Sequence, residues 1–185
     1  MERFRKLLRT DKTALLIIDI QKKILPVILN NQMVIENTLK LIRGFKILSL
    51  PVYYTEQYSK GLGNTIPEIQ NELTGIKPFE KMSFSCSGAG KLFDELKERN
   101  LTQIILAGIE THVCVQQTAL DLLASDFQVI IAADAVSSRK DIDYKFALER
   151  MKSNGAEITT TESALFELLE FCGTDIFRQI SRLVK

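Results

Sequence analysis

The sequence predicts an α/β fold, a three-layer α/β/α sandwich with a mainly parallel sheet. Short apolar runs alternate along the chain with segments whose apolar residues recur at helical spacing. Several runs, such as residues 13–18, are continuously apolar, as expected of parallel strands that are covered on both faces. Because strands and helices alternate throughout, we expect right-handed crossovers and a Rossmann-like strand order, 3-2-1-4-5-6.

The strands are predicted from apolar and β-branched runs that turn signals interrupt. The second run contains Pro51 at its entry, where a strand tolerates proline, and the third is only weakly strand-like. The predicted strands are residues 13–18, 50–55, 76–81, 103–107, 128–132 and 157–159.

The helices are predicted from apolar periodicity and from terminal signals. Asn100 and Gly155 follow two of the periodic segments as stop signals, and Thr161 can cap another. One predicted helix starts at residue 31. The others cover residues 91–99, 116–124, 141–153, 161–169 and 176–184. We also expect a short surface helix in residues 1–12, with Phe4, Leu7 and Leu8 packed on the domain.

Composition predicts one ordinary globular domain over residues 1–185. Net charge is +1 and no apolar run reaches membrane-spanning length, so neither nucleic acid nor a membrane is an expected partner. Three cysteines without paired spacing favour a reducing compartment, and we expect a cytoplasmic location. Mitochondrial targeting by the basic N-terminus is the alternative.

Cys114 is the first candidate for chemistry. It follows the predicted strand 103–107 and precedes the helix 116–124, at a strand-to-helix turn where free N–H groups and the helix dipole favour a thiolate. His112 is the only histidine, and its position two residues before Cys114 makes a Cys–His pair geometrically awkward. The alternative is an inert thiol in a packed turn.

A carboxylate and a lysine can complete a thiol site. Asp19 follows the first strand, and an aspartate at the end of such an apolar strand can act as a base, although it can also be a cap or turn residue. Lys81 follows the third strand and would offset the negative charge, although most lysines are solvated. In the predicted strand order, Asp19 and Cys114 meet where the chain order reverses.

These residues resemble the isochorismatase-like cysteine hydrolase family. The resemblance rests on Asp19-Ile20-Gln21, on Lys81, and on the run from Gly108 to Val115 with its Cys114, and it covers nearly the whole chain. Residues 108–139 are most similar to the small isochorismatase domain-containing proteins. No single motif is specific, but their order, spacing and strand context together are.

The resemblance implies a catalytic triad of Asp19, Lys81 and Cys114. It also implies a cis peptide between Ile109 and Glu110, and an oxyanion hole formed by the backbone N–H groups of Glu110 and Cys114. It implies a homo-oligomer acting on a small-molecule substrate.

Two differences from members of the family restrict the activities that the resemblance implies. Nicotinamidases of the family hold a metal with histidines and an aspartate, and this chain has only His112, so we expect no metal and no cofactor. True isochorismatases lack the nucleophilic cysteine that this chain has at position 114.

The wall of the pocket is predicted from the segments that flank the site. We expect the segments 20–29 and 56–74 to shape specificity. For each candidate a structural role is the alternative: hydrogen bonding within a turn, surface placement or core packing. The candidates are Gln21, Gln57, Phe84 and His112. We read Cys86 and Cys172 as structural.

Two functions of different classes remain. The first is an enzyme in which Asp19 deprotonates Cys114, the sulfur attacks a small amide or related C–N compound, and water hydrolyses the acyl-enzyme. The second is a thiol-based redox sensor or interaction protein on the same fold, without efficient hydrolysis.

Overall fold

The computed structural model describes residues 3–185, which contain a six-stranded sheet with all neighbours paired in parallel. Its strands are β1 (Thr13–Ile18), β2 (Val52–Gln57), β3 (Phe79–Lys81), β4 (Gln103–Ile109), β5 (Gln128–Ser137) and β6 (Glu157–Thr159). Their order across the sheet is β3-β2-β1-β4-β5-β6. The predicted fold class and strand order are therefore confirmed.

Helices connect the strands and cover both faces of the sheet. They are α1 (Asn31–Ile47), α2 (Ser59–Leu62), α3 (Pro67–Glu72), α4 (Leu92–Glu98), α5 (Gln116–Ala124), α6 (Asp141–Ser153), α7 (Thr161–Leu169) and α8 (Asp175–Val184). In the described part of the chain, none of them has the length and apolar character that a bilayer crossing requires.

The central strand β1 contributes to two cores. Successive side chains of a strand point to opposite faces, and all six residues of β1 are buried. Leu15 and Ile17 join the core beneath α1, α3, α7 and α8, whereas Leu16 and Ile18 join the core beneath α4, α5 and α6. A strand that is covered in this way needs no polar face, which explains the continuous apolar run.

Four strands differ in extent from their predictions: β3 is shorter at its start, β4 continues to Ile109, and β2 and β5 differ for reasons that their hydrogen bonds show. β2 begins at Val52, because Pro51 has no N–H for the ladder and only its carbonyl takes part, accepting from the N–H of Leu15. β5 continues to Ser137, because after a register irregularity it pairs again with Gly108 and Ile109 at the end of β4. Gln57 is consequently the last residue of β2 rather than part of the following loop.

The predicted N-terminal helix is wrong for residues 3–12, which form turns. The N–H of Leu8 donates to Glu167, and the N–H of Arg9 donates to the side chain of Gln103, so distant acceptors replace a helical ladder. Leu8 is buried as expected, but Phe4 is 68% exposed. Residues 1 and 2 of that prediction lie outside the described residues.

The sheet leaves a crevice where β1 and β4 lie side by side and the chain order reverses. Gly108 makes this close approach possible. Its φ is +130°, and a Cβ atom there would lie 2.2 Å from the carbonyl oxygen of Ile18. Only glycine fits, and the ends of β1 and β4 can therefore present Asp19 and Glu110 to one site.

We expect Gly108→Ala to lower the free energy of unfolding by more than about 3 kcal/mol, because it adds a backbone clash to an unfavourable φ. Gly75→Ala is the matched control: its φ is +88° but the added Cβ meets open space, so a loss of about 1 kcal/mol is expected. Urea denaturation followed by circular dichroism measures both. Equal losses would contradict the role given to Gly108.

Candidate active site

A buried ion pair joins Asp19, directly after β1, to Lys81, the last residue of β3. Lys81 Nζ donates to Asp19 Oδ2 at 2.6 Å, and the exposed fractions of the two side chains are 0% and 4%. The other carboxylate oxygen, Oδ1, accepts from the Thr55 hydroxyl at 2.7 Å. Since Thr55 belongs to β2, three neighbouring strands fix this carboxylate.

The ammonium group of Lys81 has no proton left over. Besides Asp19, it donates to the carbonyl oxygens of Ser83 and Phe84 at 3.2 and 3.0 Å and to Gln57 Oε1 at 3.3 Å. These four acceptors more than match its three N–H bonds. Carbonyl groups of the chain after β3 thus point toward Lys81, and their hydrogen bonds offset the free-energy cost of burying its charge.

Cys114 lies in a turn of π-helix, Thr111–Val115, between β4 and α5. Its thiol donates to Gln57 Oε1 at 3.1 Å, and the residue is 7% exposed. The carbonyl of Glu110 accepts the N–H groups of Val113 and Val115. The peptide bond between Ile109 and Glu110, immediately before this turn, is cis.

Burial raises the pKa of the Cys114 thiol far above its ordinary value. The charge of Asp19 acts in the same direction, whereas the charge of Lys81 lowers that pKa. The expectation that the strand-to-helix turn favours a thiolate is therefore wrong for the resting site, because an enclosed thiolate would lose its hydration beside a carboxylate. A raised pKa keeps the thiol neutral at rest, and any thiol becomes a good nucleophile only after a base removes its proton.

Asp19 and Cys114 both line a cavity of about 240 Å³. It brings together six of the residues predicted for the site: Asp19, Gln57, Phe84, Ile109, Glu110 and Cys114. The remaining wall is apolar and consists of Ile24, Leu62 and Val113. The first two come from the segments expected to shape specificity, while Val113 had no signal except its place beside Cys114.

Two segments of the wall are tied to each other by backbone hydrogen bonds. Lys22 N–H donates to Asn64, Lys23 N–H to Leu62, and Ile66 N–H to Ile20, all at 3.0 to 3.1 Å. Through this short antiparallel ladder, Ile24 and Leu62 are held as one unit.

Gln21 does not line the cavity, contrary to its prediction as a pocket residue. Its side chain is fully buried, with Nε2 donating to the carbonyls of Gln57 and Gly63 and Oε1 accepting from the N–H of Gln57. A side chain whose polar groups are all bound to backbone has none left for a ligand. Gln21 instead fixes the end of β2, and with it the position of Gln57.

His112 is likewise absent from the cavity wall, contrary to its prediction. Its Nδ1 lies 3.0 Å from the Ser138 hydroxyl, and its Nε2 lies 3.9 Å from a carboxylate oxygen of Asp143 on α6. The spacing of two residues from Cys114 places the imidazole against α6 rather than beside the thiol, so His112 is not positioned as its base.

A second acidic group, Glu110, lines the cavity and forms an ion pair with Arg139, which does not line it. Its Oε1 accepts from Arg139 Nε at 2.6 Å, with the Glu110 side chain 8% exposed and that of Arg139 55% exposed. Sequence reasoning missed this Arg139 contact, which depends on the extension of β5. Within residues 3–185, no cluster of three or more histidine, cysteine, aspartate or glutamate side chains is arranged to hold a metal ion.

Residues 13–163 match the model of the isochorismatase domain. The chain belongs to the isochorismatase family. It is 39% identical over 177 residues to isochorismatase domain-containing protein 2 of Danio rerio, covering 96% of this chain and 89% of that protein. The predicted family membership is thus confirmed, and with it the hydrolase fold.

Solved structures of relatives share the architecture. The MAR1 ribonuclease of Caenorhabditis elegans superposes with a TM-score of 0.89 and 35% identity, covering 96% of this chain and 91% of that one. The YcaC gene product of Escherichia coli, an octameric hydrolase of unknown specificity, gives a TM-score of 0.90 at 24% identity, covering 99% and 91% of the two chains. The latter comparison shows the shared fold alone.

We expect Lys81→Met to lower the free energy of unfolding by about 3 to 5 kcal/mol, because it leaves the Asp19 carboxylate buried without its partner. Adding Asp19→Asn to that variant should restore part of the loss, since the unpaired charge disappears. Lys46→Met removes an exposed ion pair with Glu72 of comparable length, 2.8 Å, and should change stability by less than about 1 kcal/mol. Denaturation curves that are additive for the two buried changes would contradict this coupling.

The pKa of Cys114 should fall in the variant Asp19→Asn. The carboxylate raises that pKa by its charge, so its removal leaves the opposing effect of Lys81. The pH dependence of Cys114 alkylation by iodoacetamide, followed by mass spectrometry between about pH 6 and 10, should shift to lower pH than in the unaltered protein. A shift to higher pH would show that Asp19 does not face the thiol.

Proposed function

We propose that this protein is a cysteine-dependent hydrolase of small amides or related C–N compounds. One observation supports this assignment above the others: a thiol and a carboxylate line one cavity, and a buried lysine behind the wall is paired with that carboxylate. Cys114 is the proposed nucleophile, Asp19 the base, and Lys81 the group that holds the carboxylate in place.

The proposed reaction begins with proton transfer from the Cys114 thiol to Asp19. The sulfur then forms a bond to the carbonyl carbon of the substrate, and negative charge collects on the carbonyl oxygen. Asp19 returns the proton to the leaving nitrogen as the C–N bond breaks, which leaves a thioester on Cys114. Water, deprotonated by Asp19, cleaves the thioester and regenerates the thiol. A neutral resting thiol fits this sequence, because the base acts only when substrate is present.

The backbone N–H groups of Glu110 and Cys114 are the proposed donors to the carbonyl oxygen. The wide π turn supports the role of Cys114, because the carbonyl of Glu110 already accepts from Val113 and Val115. That carbonyl would be the ordinary helical acceptor for the N–H of Cys114, which is thereby released for a ligand. One such donor typically contributes about 10²- to 10³-fold to the rate.

The raised pKa of Cys114 argues against the redox-sensor alternative. Sensor cysteines combine thiolate character with solvent access, so that peroxide reaches a reactive sulfur. In this protein burial raises the pKa of the thiol, and the residue is 7% exposed. Both features suit a nucleophile that a bound substrate and a neighbouring base activate.

We further propose that the hydrolase works without a metal and assembles as a homo-oligomer. In this proposal Asp19 and Lys81 supply the acid–base and charge functions without a metal, and the octameric state of a hydrolase with the same fold supports assembly. RNA cleavage, which the name of the C. elegans neighbour suggests, receives less support from the site: a 240 Å³ cavity with apolar walls does not suit a chain of phosphates.

We expect Cys114→Ala to lower kcat/KM on a panel of small amides by more than about 10⁴-fold, because no other group can form the thioester. The comparison uses a Cys172→Ser background, which removes the exposed thiol, so that iodoacetamide labelling reports on the site. Labelling should disappear together with activity. Amide or RNA hydrolysis that persists in Cys114→Ala would overturn the proposed function.

A further inference from the structure

We infer that the site takes an uncharged small amide with an apolar body and discriminates against substrates that carry a carboxylate. This inference rests on the proposed hydrolase function and adds the charge and size of the substrate. It follows from how charges are arranged around the cavity.

The acidic side chains line the cavity, whereas the basic side chains that pair with them do not. Asp19 and Glu110 both contribute to the wall, but neither Lys81 nor Arg139 does. Arg139 binds Glu110 from the solvent side with its side chain 55% exposed. Lys81 has no exposed side-chain surface, and its protons are all engaged. Lys60 and Lys81 line a different cavity, of about 640 Å³, next to β3.

A substrate carboxylate would therefore find no cation in this wall. The donors proposed at Glu110 and Cys114 are needed by the carbonyl oxygen that reacts, so a second anionic group must lie elsewhere. What remains is apolar: Ile24, Leu62 and Val113, with the Phe84 ring at the edge. Burying an unpaired carboxylate against such a surface, near two other carboxylates, is strongly unfavourable.

The polar recognition that remains suits a neutral amide. Gln57 Oε1 already accepts from Cys114 and Lys81, which leaves its Nε2 group to donate to a substrate. The volume of about 240 Å³ lies below the range of roughly 300 to 1,000 Å³ that drug-sized ligands occupy. An amide with a short aliphatic chain or a single ring matches both the walls and the size.

A pair of reagents that differ in charge tests the inference without requiring turnover. Iodoacetamide is neutral and iodoacetate is anionic, and both alkylate thiols. Peptide mapping gives the two rates at Cys114 and, as an internal reference in the same chain, at the exposed Cys172. The preference for iodoacetamide should be at least about 30-fold greater at Cys114 than at Cys172. An equal or smaller preference at Cys114 would overturn the inference.

A substitution at the edge of the cavity tests charge as the cause. Phe84 is 52% exposed, so a lysine there can be solvated while its ammonium reaches the cavity. Phe84→Lys should speed iodoacetate alkylation of Cys114 at least about 10-fold relative to iodoacetamide. The matched variant Phe84→Leu enlarges the mouth without adding charge and should leave the ratio unchanged. If both variants change the ratio equally, access rather than charge discriminates.

Turnover separates this inference from the function on which it rests. Butyramide and succinamate are comparable in length, and only succinamate carries a carboxylate. We expect kcat/KM for butyramide to exceed that for succinamate by more than about 10²-fold, with both activities lost in Cys114→Ala. Cys114-dependent turnover that favours succinamate would overturn the inference and leave the hydrolase standing. A neutral preference in alkylation without hydrolysis of any amide would support the neutral site and contradict the proposed function.

Discussion

The buried pair of Asp19 and Lys81 is the interaction on which the site depends. Neither charge is tolerable alone in such an interior, where removal from water costs several kcal/mol per ion. The pair is stable because Thr55 and the carbonyls of Ser83 and Phe84 complete its hydrogen bonds. Those partners come from β2 and from the chain after β3, so the sheet must form in one register before the carboxylate is positioned.

Much of the fold and the placement of the candidate site residues could be predicted from the sequence, and the reasons are local. Residues 13–18 read as a covered strand because every position is apolar, and side chains that follow parallel strands meet at one edge of the sheet. This is why Asp19, Lys81 and Cys114 could be placed together. The orientations of Gln21 and His112 were missed, because each depends on partners from distant segments, Gly63 and Ser138 among them. The state of the Cys114 thiol was missed for a similar reason: enclosure by a finished cavity outweighs the local effect of a helix terminus.

The π-helical turn before α5 and the raised pKa of Cys114 belong to one compromise between protection of the sulfur and its reactivity. An enclosed sulfur is protected from solvent oxidants and from unproductive reactions, but it is a poor nucleophile until its proton leaves. Gln57 Oε1 accepts a hydrogen bond from the Cys114 thiol and another from Lys81, so one amide oxygen links the proposed nucleophile to the ion pair. The site is thus a connected polar network inside an apolar wall, and it includes Asp19, the proposed base.

The antiparallel ladder between residues 20–23 and 62–66 limits how this family member can acquire a new substrate. The groups proposed to react follow strand ends, whereas Ile24 and Leu62 belong to segments that hydrogen-bond to each other. An insertion or deletion in one segment shifts its backbone donors away from acceptors in the other. The shape of the cavity wall can therefore change in two ways. Either a single side chain is replaced, or both segments change in length together. Divergence of specificity should proceed in paired steps across these two stretches, while the chemistry beneath them stays constant.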